Sequence, residues 1–365
     1  MSDANVSLND VVTQLDAEGL LNAETGAVEQ AVGKMADIQP WYVRTMVGFG
    51  AWVASLMLIG FVASIGLTFD WGFAFFGLGF MVGAVLVRNT SNNDFMVQCS
   101  LAASLAGQAL FVYGTMEGAN WDLPEIAVGI VIFLNVVLFV VFPDRIHRVL
   151  SVLLIVGAAT MLLYMWKWNA VIPLLGPVLA TLLVFMERNR SRFVAGGKGA
   201  FLRPLLSGLM LSAFGCLMIS TIYVLPELGG SFEFYPRPWI STILLGALLL
   251  YVARDSWDTL LAGAGQTAEV VVYGLLVVVM ASAWIAPGLL LALVVILLGA
   301  KSGHRTMLGA GVGFLVVFLG AYFYGIQLTM LQKSATLIGT GVVVLVARFV
   351  MLKLLSRSAG EPGHV

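Results

Sequence analysis

Charged residues are scarce in this sequence. Only 11% of the 365 residues are Asp, Glu, Lys or Arg, whereas 60% are hydrophobic. Ordinary soluble domains carry roughly 25% charged residues, so a soluble fold would have too little polar side chain to cover its surface. Lipid removes that requirement, because the exterior of the protein can then be apolar. The composition therefore predicts an integral membrane protein whose first partner is the lipid bilayer.

Residues that hold metals or perform catalysis are also few. The two cysteines, Cys99 and Cys216, each lie in an apolar run, which favours small buried residues over a disulfide or metal pair. The three histidines, His147, His304 and His364, fall in predicted loops or in the C-terminal tail. No phosphate-binding loop, zinc motif or nucleophile elbow is found. We therefore expect no enzymatic activity, no catalytic residue, no metal and no cofactor, and no basic surface indicates nucleic acid.

Long apolar runs dominate the chain from Thr45 onward, and about 20 apolar residues cross a membrane core of roughly 30 Å. The predicted fold is an all-α integral membrane protein with about twelve transmembrane helices. Ala286-Pro287 joins two runs without a polar loop, so 270–300 is either two spans or a kinked or re-entrant segment. The predicted spans are 45–67, 71–87, 95–116, 125–142, 149–166, 169–186, 204–225, 239–253, 270–286, 287–300, 307–327 and 335–355.

Polar segments divide the chain into regions. Residues 1–44 are polar, with apolar positions at helical spacing, and are predicted to form a cytoplasmic helical hairpin, with a docking site for a partner as the alternative. The membrane part then splits into a first half and a second half of about six spans each. The predicted boundaries are 45–186 for the first half, 187–203 for a basic cytoplasmic loop, 204–355 for the second half and 356–365 for a cytoplasmic tail.

The basic residues predict the orientation. With the N-terminus in the cytoplasm and twelve spans, only Lys167, Arg237 and Lys333 of the 19 Lys and Arg residues fall outside, which leaves 16 on the inner side. The positive-inside rule predicts this asymmetry. We therefore expect both termini to lie in the cytoplasm.

A few polar side chains lie within predicted spans. Arg348 is in the inner half of the last span, so it either reaches back to the cytoplasmic surface or contacts protein acceptors such as Asp255 or Glu269. Gln108, Asn135 and Gln327 are expected to form hydrogen bonds between helices, with a lined cavity as the alternative.

The sixth predicted span contains two prolines in the run Pro-Leu-Leu-Gly-Pro, at Pro173 and Pro177. Proline has no N–H to donate, so it frees a backbone carbonyl and bends or interrupts a helix. Transporters build binding sites at broken helices. The pattern predicts a bend or break in this span, with or without a binding site.

The loop between the predicted halves carries a cluster of positive charge. A basic segment next to the membrane attracts anionic lipid. The same charges also serve simply to mark the cytoplasmic side. The candidate anionic-lipid contacts are Arg188, Arg190, Arg192, Lys198 and Arg203.

The stretch from Tyr322 to Ser334, YFYGIQLTMLQKS, is followed by a glycine-containing apolar run with Arg348 near its end. This pattern resembles an uncharacterised bacterial inner-membrane family whose C-terminal part is a domain of unknown function, DUF4401. The resemblance implies a multi-pass membrane protein, often encoded beside a membrane-anchored partner with a G-D-Y-x-x-L-x-Y motif. It implies no activity and no site residues.

Two functions follow from these observations. The first is a non-enzymatic subunit of a cell-envelope membrane complex, which agrees with the missing catalytic motifs and with the resemblance. The second is a secondary transporter of a small or lipidic substrate, which agrees with the number of spans and with Pro173 and Pro177. A water-filled cavity that reaches the membrane midplane would favour transport, whereas a solid helical core would favour the subunit.

Overall fold

Every regular element that the structure describes is an α-helix. The computed structural model describes residues 71–91, 94–118, 124–197, 199–222, 238–260, 266–283 and 287–325, with isolated residues between 46 and 61 and between 331 and 338. The helices are α1 (Gly72–Thr90), α2 (Asp94–Gly118), α3 (Pro124–Val141), α4 (Arg145–Met165), α5 (Ile172–Arg188), α6 (Arg190–Ala195), α7 (Gly199–Ile222), α8 (Pro238–Leu260), α9 (Gln266–Ser282), α10 (Pro287–Ser302) and α11 (Arg305–Gly325).

Ten of the twelve predicted spans correspond to one of these helices. The first and last spans lie outside the continuously described residues, as do the predicted N-terminal hairpin, the tail, Gln327, Lys333 and Arg348. Within the described residues, six helices are long and apolar enough to cross a membrane, and three more are apolar but shorter. The chain therefore has the helices of a membrane protein, and the total of twelve spans stays a prediction. The six are Gly72–Thr90, Phe95–Gly118, Pro124–Val141, Arg145–Met165, Gly199–Ile219 and Trp239–Trp257.

The chain forms two compact units, Met1–Gly114 and Thr115–Val365. In the first unit, α1 and α2 pack closely through glycine. A Cβ atom placed on Gly77 would lie 2.6 Å from the carbonyl oxygen of Gly107, and one on Gly107 would lie 2.7 Å from that of Gly77. Small residues of this kind let two membrane helices approach until their backbones touch. The predicted membrane halves on either side of 187–203 stay a prediction.

In the second unit, helices that follow one another along the chain run in opposite directions, whereas α8 runs in the same direction as its neighbours α5 and α10. Helix α3 packs on α4, α7 packs on α4 and α5, α8 packs on α5 and α10, and α10 packs on α11. Its core is a continuous apolar cluster drawn from α5, α7, α8, α10 and α11, with Leu183, Phe214, Leu249, Leu291 and Phe318 among its fully buried side chains. The helix ends of this unit therefore gather at two opposite ends, and the site described below lies at one of them.

The segment 270–300 contains two separate helices. Helix α9 ends at Ser282 and α10 begins at Pro287. Proline suits the first position of a helix, because the first N–H groups have no partner within the helix. Helix α10 packs against α8 and α11, so it occupies its own place in the unit. The segment was predicted to be either two spans or one kinked or re-entrant segment, and the described residues form two separate helices.

The two prolines of α5 occupy different positions, and the helix is not interrupted at either of them. Of the predicted bend or break, the break was therefore wrong, and the bend stays a prediction. Pro173 lies in the first turn, where a missing N–H costs nothing. Pro177 lies inside the helix, which nevertheless continues to Arg188. Because Pro177 has no N–H to offer the carbonyl of Pro173, that carbonyl accepts a hydrogen bond from Ser241 Oγ on α8 at 2.6 Å. A second helix therefore supplies the missing donor, and the helix stays intact.

We expect Ser241→Ala to lower the free energy of unfolding by about 1–3 kcal/mol, because it leaves the buried carbonyl of Pro173 without a donor. Pro177→Ala restores an N–H that can bond this carbonyl within α5. In the Pro177→Ala background, Ser241→Ala should therefore cost much less. Unfolding of the four proteins of this double-mutant cycle in detergent measures the difference. An equal cost of Ser241→Ala in both backgrounds would contradict the explanation.

Candidate functional site

The segment 187–203, predicted as a basic cytoplasmic loop between spans, is largely helical in the structure, and its cytoplasmic position stays a prediction. Helix α5 runs to Arg188, α6 covers Arg190–Ala195, and α7 begins at Gly199. A tight turn at Gly196 and Gly197 separates α6 from α7, and Gly197 has a φ of +74°, which glycine adopts without a steric cost. The arginines of this segment are therefore held on helices.

The described side chains among the five predicted lipid contacts have different partners. Arg188 turns toward α8, where its guanidinium lies 2.9 Å from a carboxylate oxygen of Asp255 and beside the ring of Tyr251. Arg190 bonds Glu187, while Arg203 lines a cavity. Arg192 is exposed, and Lys198 lies outside the described residues. The four described residues thus have different surroundings, and lipid contact by any of the five stays a prediction.

Asp255 connects three helices by ion pairs. Its carboxylate binds Arg188 of α5 and the ammonium group of Lys301 at the end of α10, which also bonds the backbone carbonyl of Asp255. These partners allow α8 to continue to Leu260, well past the predicted end at residue 253. Asp255 was one of the predicted acceptors for Arg348, but two other cations already hold its carboxylate.

Glu187 is the buried acid of this end of the unit, with a side chain only 5% exposed. Its carboxylate lies 3.2 Å from the guanidinium of Arg190 and 3.9 Å from Nε2 of His304. A buried carboxylate needs such partners, because burial without them costs several kcal/mol. Glu187 therefore joins α5 to the turn that precedes α11.

A cavity of about 460 Å³ opens beside Glu187, where α4, α5, α7 and α11 meet. Its charged lining consists of three arginines and one glutamate, with Ser207, Thr306 and His304 as further polar groups. Buried apolar side chains of α7 and α11 form the rest of the wall. The lining residues are Arg145, Glu187, Arg190, Arg203, Leu206, Ser207, Met210, His304, Thr306 and Met307. We call this cavity the basic cavity.

The prediction that His147 lies in a loop was also wrong. Asp144 accepts a hydrogen bond from the backbone N–H of His147 at 2.9 Å and thereby starts α4 at Arg145, four residues before the predicted span. The imidazole is fully buried and stacks on Phe142, and its Nδ1 lies 3.2 Å from Ser151 Oγ. His147 is therefore buried inside the unit, two residues after Arg145, which lines the basic cavity.

Among the residues that the structure describes, no hydrogen bond between helices is seen for Asn135 or Gln108. Asn135 is fully buried, but its Nδ2 donates to the carbonyl of Val131 in its own helix at 2.9 Å. Within the described residues, Oδ1 of Asn135 and Nε2 of Gln108 have no partner. An asparagine can bond the preceding turn of its own helix, and this local bond replaces the predicted bond to another helix.

The sequence does not indicate that the residues at this end of the second unit form a group. Arg145, Glu187, Lys301 and His304 come from four separate helix ends. One signal is present in the sequence, because the predicted topology places all four segments on the inner side. No group of three or more His, Cys, Asp or Glu side chains with the arrangement of a metal site occurs within residues that the structure describes.

Apolar helices pack side by side in the second unit, and charged residues lie at their ends. These features together define a multi-pass helical membrane protein. A family model described as "Domain of unknown function (DUF4401)" matches residues 40–354. The chain belongs to this family, and the match covers nearly all of the membrane part and not only its C-terminal part. Comparison with curated proteins and with solved structures gives no match.

Proposed function

We propose that this protein is a non-enzymatic subunit of a cell-envelope membrane complex. The proposal rests on the centre of the second unit, where apolar side chains are fully buried. Leu245 and Leu249 of α8, together with Leu290, Leu291 and Val294 of α10, are fully buried there. A packed interior suits a structural subunit, since a transporter needs a polar path between its helices.

The outer faces of the helices supply the surface for a partner within the membrane. Large apolar side chains are exposed along α3 and α9, among them Phe133, Val140, Val270 and Val278. Lipid satisfies such side chains, and so does the apolar face of another membrane helix. The family resemblance suggests the partner, a membrane-anchored protein with a G-D-Y-x-x-L-x-Y motif. We propose this protein as the partner in the complex.

Co-expression of the full chain with that partner tests the proposal. We expect the two proteins to stay together through detergent extraction and size-exclusion chromatography. Val278→Trp on the exposed face of α9 should weaken the association if this face is used, and Val279→Ala, at a partly buried neighbour, serves as a matched control for stability. Complete separation of the partner, combined with solute uptake into proteoliposomes that contain the chain alone, would favour the secondary transporter instead.

The proposed location is the bacterial inner membrane with both termini in the cytoplasm. In the second unit, Arg145, Arg190, Arg203 and Lys301 all lie at the end that carries the basic cavity, whereas Lys167 lies in the connection at the other ends of α4 and α5. This asymmetry supports the positive-inside orientation. Reporter fusions at Val365 and within residues 1–10 should be active only in the cytoplasm. Periplasmic activity at either terminus would overturn the topology.

A further inference from the structure

The charges of the basic cavity do not balance. Arg190 pairs with Glu187, which accounts for one arginine and for the only carboxylate in the lining. Within the described part of the chain, the guanidinium groups of Arg145 and Arg203 take part in no ion pair and no hydrogen bond. Two positive charges therefore face the same space without a carboxylate of their own.

The backbone adds to this positive charge. Thr306 and Met307 lie in the first turn of α11, whereas the first turn of α4 is already capped by the carboxylate of Asp144. The first N–H groups of a helix have no partner within the helix and carry a partial positive charge, which makes them ready partners for an anion. Ser207 and Thr306 supply hydroxyl donors in the same lining. Arginine, hydroxyl and helix N–H groups are the donors that proteins use to hold phosphate oxygens.

The size and position of the cavity limit the class of ligand. A volume of about 460 Å³ is more than one inorganic phosphate fills, and it falls within the roughly 300–1,000 Å³ typical of small-molecule sites. The cavity also lies where helices reach the basic end of the unit, which in the proposed orientation faces the cytoplasmic lipid headgroups. Basic pockets between helices on this side bind lipid headgroups.

We propose that the basic cavity binds a phosphate-type anion between Arg145 and Arg203, with Thr306 as a hydroxyl donor. The anion is the phosphate of an anionic lipid headgroup or a free phosphate, and both present the same oxygens to these donors. This proposal does not depend on the subunit function described above.

The test uses the full-length protein, purified in an uncharged detergent. Binding is measured by calorimetric titration with short-chain phosphatidylglycerol, with short-chain phosphatidylcholine and with inorganic phosphate. Arg145→Gln and Arg203→Gln should each weaken binding by about tenfold, which is about 1.4 kcal/mol. Arg192→Gln removes an exposed arginine of α6 that does not line the cavity, so it should leave the affinity unchanged.

A second variant keeps the proposal testable if the arginine variants fold poorly. Thr306→Glu places a carboxylate at the second position of α11, where a negative charge favours the helix. The variant should therefore unfold at an equal or higher temperature than the parent protein, yet bind the anion at least about tenfold more weakly because of charge repulsion. Unchanged binding in this variant would overturn the proposal.

The ligands separate the possible outcomes. Binding of phosphatidylglycerol without binding of inorganic phosphate identifies the site as a headgroup site, and competition between the two identifies a site for the free anion. No binding of either ligand overturns the proposal. Equal weakening by Arg192→Gln also overturns it, because the attraction would then come from the general positive charge of this end.

Discussion

Phe318→Ala should lower the free energy of unfolding by about 3–5 kcal/mol, the range for a large aromatic residue truncated in a core. Phe318 of α11 is fully buried, lies 5.9 Å from the ring of Phe214 of α7 and sits directly against Gly288 of α10. Three helices therefore meet on one ring. Its removal leaves a hole between helices that lipid does not reach, and the surrounding atoms lose their contacts.

The matched control is Phe185→Ala on α5, where the side chain is 57% exposed. Lipid or detergent replaces the contacts of an exposed phenylalanine, so this change should alter the stability by no more than about 0.5 kcal/mol. Unfolding of both variants in the same detergent, followed by circular dichroism, measures the difference. Equal losses in the two variants would show that the second unit is not packed around Phe318.

Gly77→Ala should destabilise the contact between α1 and α2 by roughly 1–3 kcal/mol or more, the range for overpacking. The added methyl group would lie 2.6 Å from the carbonyl oxygen of Gly107 and 2.8 Å from Cα of Phe111. Both neighbours are backbone atoms, which cannot rotate away as the end of a side chain can. The two helices must therefore separate, and they lose contacts along their length.

Gly83→Ala on the same helix tests the sign of this effect. No atom lies within 4 Å of a Cβ placed on Gly83, so the added methyl group meets nothing. Alanine favours the helix over glycine by up to about 1 kcal/mol, so Gly83→Ala should stabilise the protein slightly. Thermal unfolding of the full-length variants should give shifts of opposite sign. Stabilisation by both changes would contradict the close approach of α1 and α2.

Much of the helical layout could be predicted from the apolar runs. Ten predicted spans match described helices, and Pro287 correctly marked the start of a new helix. The errors concentrate at the charged ends. Helix α8 continues through Asp255 to Leu260, and α4 begins at Arg145, because ion pairs and a cap stabilise residues that look like loop in isolation.

The candidate site could be predicted only in part. The sequence indicated a basic segment that includes Arg190 and Arg203, and both residues line the basic cavity. It did not indicate Arg145 or His304, which lie 45 or more residues away from Arg190 along the chain. Such residues meet only after several helices have packed. The pairing of Arg188 with Asp255 follows from the same packing.

The sequence by itself determined that this protein is helical and that its helices are apolar enough for a membrane, and it predicts that the basic residues gather on one side. Those properties depend on local composition and on the helical repeat. Only the tertiary structure decided which charges pair and which remain to face the basic cavity. It also decided that Ser241 bonds the carbonyl of Pro173, which keeps α5 intact despite Pro177. The physical reason is that each buried polar group needs a partner within hydrogen-bonding distance, and that partner comes from whichever distant helix packs beside it.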